Sequence, residues 1–248
     1  MNETSWQVPE RSFSGPIGKE YEKLRLICPE AADMSRRVGE FLADWVRGRE
    51  GRLKVVELGC GTGITTTAIL SALGENPLVA VDPEPTMLAQ ARVNLFSWMK
   101  QGQLSLVEDD ALSYLKTLPD ASQNLVASAY TLHNFVEDYR TQVLREIYRV
   151  LLPGGLFVNG DRYALDDSGA HTRQIQEEAR RYFAVFGKMG RIDLLEEWIV
   201  HLFGDESPDR VMRLSPALRT LSSTGFEPVA VHYRHGVNAL VSAEKPVT

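Results

Sequence analysis

The chemistry legible in this chain starts at Glu57 and the glycines Gly59, Gly61 and Gly63, inside the run VVELGCGTG from Val55 to Gly63. Glycine tolerates positive φ and lets a backbone approach a ligand closely. A carboxylate just ahead of the first glycine suits a cationic amine and would repel a pyrophosphate. A dinucleotide fingerprint also wants a glycine where this chain has Ile64, which disfavours a nicotinamide cofactor. The plain alternative is a glycine turn that closes an ordinary strand-to-helix unit. Further on, Asp82 ends a second apolar run, Pro77 to Asp82, where a carboxylate can accept hydrogen bonds from ribose hydroxyls. His133 follows the fourth such run. An unperturbed imidazole titrates near neutrality, so it reads as a general base or as a hydrogen-bonding prop for its loop. Asp161, Tyr163 and His201 are the other candidate bases. Cys60, between glycines, reads as a small residue filling the turn rather than a nucleophile. No His/Cys cluster has metal-ligand spacing, so no metal is expected.

Elements of an open α/β sheet must position these groups, because ligands there bind beyond the carboxyl ends of the strands. Val55 onward predicts the first strand and Ile64 to Leu73 the helix after the turn. Leu104 to Val107 and Asn124 to Ala129 predict strands three and four, and Leu156 to Gly160 strand five, with Pro153-Gly154-Gly155 ending the helix before it. One helix is expected from Pro85 to Lys100. Met87 on it could pack on an adenine ring or in the core. Ahead of the first strand, Gly18 to Cys28 and Glu30 to Arg47 read as helices. The second of these has one apolar face through Met34, Val38, Phe41, Leu42 and Trp45. Tyr21 and Arg25 share a face of the first helix. His171 to Phe186 and Arg191 to Phe203 predict a helical insertion carrying Tyr182, Trp198 and His201. Ser215 to Thr224 predicts a helix with Ser215 as its N-cap, and Pro228 to Arg234 with Val237 to Ala243 a closing antiparallel hairpin.

The turn, the spaced acids, the LLPGGLFV run and the closing hairpin resemble the class I S-adenosylmethionine (SAM) dependent methyltransferases over residues 53–163 and 214–243. The resemblance implies an α/β fold: a Rossmann-like, seven-stranded, mostly parallel sheet with a terminal antiparallel hairpin, N-terminal helices and a helical insertion after strand five. It implies SAM as cofactor, held by Glu57, Gly59, Cys60, Gly61, Gly63, Asp82, Pro83 and Met87. Asp110 and Ala111 would lie beside the adenine, Ala129 at the end of strand four, and Tyr21 and Arg25 near the SAM carboxylate. Residues 1–48 would form a tail and helical cap, 49–165 with 214–248 the SAM-binding core, and 166–213 a roof over the substrate. The helical arrangement is also similar to carboxy-SAM synthase, although that synthase has a serine and a bulkier residue in the turn where this chain keeps GCGTG.

The expected function is therefore methyl transfer to a small-molecule acceptor by direct in-line displacement, with His133 as candidate catalytic residue. A SAM-modifying enzyme like the synthase, or a SAM-binding module without transferase activity, would share the same binding motifs. The 248 residues, 44% hydrophobic and 24% charged, suit one sizeable α/β core. A net charge of −6 argues against a nucleic-acid partner. Without an apolar run long enough to span a bilayer, no membrane association is expected. The polar N-terminus does not read as a signal peptide, and Cys28 and Cys60 suggest no disulfide framework, so a cytoplasmic protein is expected.

Overall fold

The computed structural model describes Gly18, Glu20 and residues 23–247. In chain order, helices α1 (Leu24–Ile27) and α2 (Glu30–Val46) precede β1 (Val55–Leu58), α3 (Ile64–Leu73), β2 (Leu78–Asp82), α4 (Pro85–Asn94), α5 (Phe96–Lys100), β3 (Leu104–Glu108), α6 (Ala111–Thr117) and β4 (Gln123–Ala129). A 3₁₀ turn at Leu132–Asn134 leads to α7 (Glu137–Val150) and β5 (Leu151–Arg162). Then come α8 (Ser168–Lys188), α9 (Ile192–Asp205), α10 (Leu214–Thr224), β6 (Val229–His235) and β7 (Asn238–Glu244).

The strands form one seven-stranded sheet in the order β3-β2-β1-β4-β5-β7-β6. Neighbours run parallel from β3 to β5, and β7 is antiparallel to both β5 and β6. This is the expected α/β fold. The parallel strands are apolar on both faces because helices cover both. Val56, Leu58 and Val126 pack toward α6 and α7, while Val55, Leu125 and Ala127 pack toward α2, α3 and α4. Helix α2 belongs to that second layer: Met34, Val38 and Leu42 are fully buried. A side chain at Gly39 would come within 2.9 Å of Ala68 Cβ, so glycine lets α2 lie close against α3. Ile27 of α1 joins a separate apolar cluster with α8 and α9, built around Phe186, Leu194 and Trp198.

Three local expectations are corrected. The single helix from Pro85 to Lys100 breaks at Leu95, which leaves helical geometry at φ −109° and buries its side chain. Pro153-Gly154-Gly155 does not cap α7, which ends at Val150. The segment lies inside β5 as an irregularity, where the pairing of Gln123 with Leu151 jumps to Leu125 with Leu156. Gly154 takes a positive φ there, and its N–H bonds Lys245 O at 2.7 Å, so the turn is held by the last strand's end rather than by the helix. Ser215 is likewise inside α10 rather than capping it. Asp166 accepts both its N–H, at 3.1 Å, and its hydroxyl, at 2.6 Å.

The insertion between β5 and α10 leaves and rejoins the sheet at a narrow neck. Ala164 and Arg213 form a parallel bridge, with Ala164 N–H to Met212 O at 2.7 Å and Leu214 N–H to Ala164 O at 3.2 Å. No helix among the described residues is long and apolar enough to cross a membrane.

Candidate functional site

At the carboxyl end of β1 the chain turns through Gly59, Gly61 and Gly63, all at positive φ. The turn is pinned to β2: Gly59 and Cys60 N–H both donate to Val81 O, at 2.8 and 3.1 Å. The three glycines answer different needs. A Cβ on Gly59 would sit 2.1 Å from Thr131 Oγ1, and one on Gly63 would sit 2.6 Å from Leu95 Cδ1. Those two are glycine because the protein itself fills the space. A Cβ on Gly61 would meet nothing within 4 Å, so here the backbone faces an open cradle.

Glu57 lies below that cradle, 1% exposed, and neither carboxylate oxygen has a hydrogen-bond partner. The Thr66 hydroxyl nearby is also unsatisfied. Burial pushes the Glu57 pKa up to about 8, against a smaller pull downward from Thr66. A buried, unpartnered carboxylate is costly unless a ligand completes it. A cationic amine in the cradle would do so. Cys60 is buried, and burial, followed by the charges of Glu57 and Asp82, pushes its thiol well above the ordinary range, so it is no nucleophile.

Asp82 is also buried. Its Oδ2 accepts from Gly61 N–H at 2.8 Å and its Oδ1 from Glu84 N–H at 2.9 Å. Each oxygen keeps a second lone pair for a ligand's hydroxyls, so one side chain both holds the turn and faces the site. Pro83 is exposed directly after it, whereas Met87 on α4 is buried at 3%. Asp110 is the N-cap of α6. Its Oδ1 accepts from Leu112 N–H, Ser113 N–H and the Tyr139 hydroxyl at 3.1, 3.0 and 2.7 Å, and Oδ2 lies outside that set. Ala111, the first residue of α6, and Ala129, the last of β4, are both buried. Tyr21 lies outside the described residues, and Arg25 falls in α1.

Past β4, Tyr130 takes a positive φ of 48° and Thr131 Oγ1 bonds Leu58 O and Gly59 O at 3.2 and 3.3 Å. The loop carrying His133 is thus tied to the glycine turn. Arg140, buried in α7, donates to the carbonyls of Leu132 and Phe135 at 3.3 and 3.2 Å and fixes the 3₁₀ segment from behind. His133 Nδ1 lies 2.6 Å from Asp161 Oδ1, while Asp161 also accepts Leu132 N–H at 2.9 Å and Arg162 N–H at 2.8 Å. β4 and β5 are parallel neighbours with Ala129 opposite Gly160, which brings the two residues together.

On its other side His133 faces the insertion. His133 Nε2 is 3.8 Å from Asp205 Oδ2, and His201 Nε2 is 3.7 Å from the same oxygen. Burial opposes charge on His133, but the carboxylates of Asp161 and Asp205 prevail and raise its pKa. For His201 burial prevails over the charge of Asp205, and its pKa is lowered. Arg162 binds Glu178 at 2.7 Å and Glu206 at 3.2 Å, and Glu206 also meets His171 Nε2 at 2.6 Å, joining β5 to the insertion. Tyr163, by contrast, is buried with its hydroxyl accepting from Asn159 at 2.9 Å, and burial pushes its pKa up, so it is a poor base. Tyr130, His133, Arg162, Trp198, His201 and Asp205 line one wall of a cavity of about 320 Å³ beneath the insertion.

The sequence reading missed Asp205 and the network of Arg162. It ended the helix of the insertion at Phe203, ahead of Gly204, but α9 continues to Asp205 and sets His201 and Asp205 one turn apart on the same face. That spacing was the available signal.

Residues 55–155 match a family model described as a methyltransferase domain. Among curated proteins, the chain is similar to a carboxy-S-adenosyl-L-methionine synthase of Photobacterium profundum, 27% identical over 120 residues, covering 48% of each chain. The chain thus spans about half the length of that relative. Among solved structures, the selenomethionine-substituted CurJ carbon methyltransferase superposes with a TM-score of 0.65 at 18% identity, covering 91% of this chain and 57% of that one. PigF with SAH gives a TM-score of 0.56 at 20% identity, covering 83% and 55%.

Proposed function

We propose that this chain, whose residues 55–155 match a model described as a methyltransferase domain, is a class I SAM-dependent methyltransferase that binds SAM in the glycine cradle and transfers its methyl group to a small-molecule acceptor. The observation that carries the reading is Glu57, a buried carboxylate without a partner beneath an open Gly61. The α-ammonium of SAM would complete it. Asp82 would take the ribose hydroxyls and Asp110 Oδ2 the adenine amino group, with Met87 and Ala111 against the ring.

When bound, SAM supplies an electrophilic methyl on a sulfonium. The protein's task is then alignment and exclusion of water. The cavity beneath the insertion is of ligand size, and its wall at His133 adjoins the loop that touches Gly59. An acceptor seated there would present its nucleophile opposite the sulfur for a single in-line displacement. Asp161 fixes the His133 ring through Nδ1 and leaves Nε2 toward the acceptor, so the pair is the candidate for holding or receiving the acceptor's proton.

Supply of SAM carrying a labelled methyl, with metabolite extracts as acceptors, tests this. Label should appear in a small molecule, with inversion at the methyl carbon. The similarity to carboxy-SAM synthases favours a second reading in which SAM itself is modified; formation of carboxy-SAM from SAM and prephenate would establish it. SAM binding with neither product would instead favour a binding module.

A further inference from the structure

We infer that His133, His201 and Asp205 form a binding site for a divalent first-row transition-metal ion, open to the cavity beneath the insertion. The sequence spacing excluded such a site only because its members come from distant segments: a loop after β4 and the last turns of α9. In the fold, their ligand-type atoms lie within 4.8 Å of one another. The two separations to Asp205 Oδ2, 3.8 and 3.7 Å, are too long for hydrogen bonds. Two ligands on one metal at about 2.1 Å stand roughly 3.0–3.5 Å apart. Small side-chain rotations would therefore close the set around an ion.

The surroundings fit that role. Asp161 accepts from His133 Nδ1 at 2.6 Å, which sets the tautomer and leaves a lone pair on Nε2; carboxylate–histidine–metal relays are built this way. Trp198 and Tyr130 stand edge-on to His201 and His133, with ring centroids 5.7 and 6.2 Å apart, and restrain both rings. Glu30, Glu177, Glu178 and Asp205 line the cavity with Arg162 and Arg181, so carboxylates outnumber guanidinium groups there, which favours a cation. Two imidazoles and one carboxylate suit zinc, iron(II), cobalt or nickel rather than magnesium or calcium, and they leave positions open. Those positions face the cavity, where an acceptor oxygen could complete the coordination. That last role rests on the proposed acceptor site; the binding of the ion does not. An ion held there takes the His133 Nε2 lone pair, so His133 can receive the acceptor's proton only in the metal-free chain.

The test uses the full chain, freed of metal by chelator and titrated without SAM. Cobalt(II) is followed by visible absorption and zinc(II) by calorimetry. One ion per chain is expected. Asp205→Asn and His201→Gln should each weaken it, and Asp161→Asn should weaken it about 10- to 100-fold. Thermal melts identify which variants fold, and Asp205→Asn, nearly isosteric, is the primary one. SAM affinity measured on the folded Asp205→Asn chain should stay unchanged. Failure of the wild-type chain to bind one ion, or unchanged binding in a folded Asp205→Asn or His201→Gln chain, overturns the inference and leaves SAM binding unaffected. Loss of SAM binding in the wild-type chain would sink the methyltransferase reading instead and leave the metal result standing.

Discussion

Replacing Glu57 with glutamine separates the cost of an empty site from the gain of a filled one. In the free protein the Glu57 carboxyl is buried without a partner, and burial raises its pKa from 4.5 to about 8. The sign follows from proton counting. Between those two values the unfolded chain has released the proton and the folded chain has kept it, so stability falls as pH rises. Each pH step across that interval costs about 1.4 kcal/mol, or roughly 5 kcal/mol once pH exceeds the folded value. Glu57→Gln carries no ionisable proton and should escape this loss. Its stability in urea should equal or exceed that of the wild type above pH 8, with the difference shrinking toward acid pH. SAM binding should behave oppositely. An ammonium beside Glu57 favours its ionised form, so binding near pH 7 should release close to one proton, read by calorimetry in buffers of different ionisation enthalpy. Glutamine should abolish that release and weaken SAM by about ten- to a hundred-fold, the worth of a charge-assisted hydrogen bond. A stability difference independent of pH, or binding heats independent of buffer, would refute the assignment of Glu57 as the ammonium partner.

Asp82→Ala should weaken SAM by about ten- to a hundred-fold, through roughly 1.5–3 kcal/mol of charge-assisted bonding; a change below about two-fold by calorimetry would give the ribose to another residue. Gly61→Val should lose SAM affinity, because its side chain would stand in the open cradle, and should also lose some stability, because a β-branched residue is strained at a φ of 53°. Gly59→Ala should instead lower the melting temperature, because its Cβ would collide with Thr131. Reversing those two outcomes would dissociate the cradle from the ligand. Hydrogen exchange over residues 166–213 should slow on SAM binding if the insertion closes over the site; identical exchange with and without SAM would argue for a fixed roof.

Much of the architecture was written in alternating and helical patterns. The apolar runs at Val55, Leu78, Leu104 and Asn124 became parallel strands, and the glycine turn fell between β1 and α3. Punctuation residues misled where tertiary contacts outweighed local preference. Gly154 signals a helix end in sequence, yet it serves a turn held by Lys245. Gly204 signals a break, yet α9 passes through it and carries Asp205 onto the face of His201. The individual members of the His133 cluster were visible, since Asp161 and His201 were both candidate bases. Their convergence was not, because it depends on the β4–β5 register and on an insertion folding back over the sheet.

The neck formed by Ala164 and Arg213 has a consequence for engineering. The polypeptide enters and leaves the insertion at two points about 4.8 Å apart, the spacing of paired strands. The segment between them keeps its own apolar centre around Phe186 and Trp198. It is therefore a cassette whose two ends run the same way: a segment from another protein can be spliced to the same pair of residues, but it has to cross over, which takes at least about a dozen residues rather than a short turn. Such an exchange must respect the contacts that cross the junction, among them the salt bridges of Arg162 to Glu178 and Glu206, of Arg191 to Glu20 and of Arg181 to Glu30, and the bond from Arg140 to Arg210 O. A donor segment that reproduces those contacts would dock on this sheet and replace the part of the cavity wall that the insertion contributes.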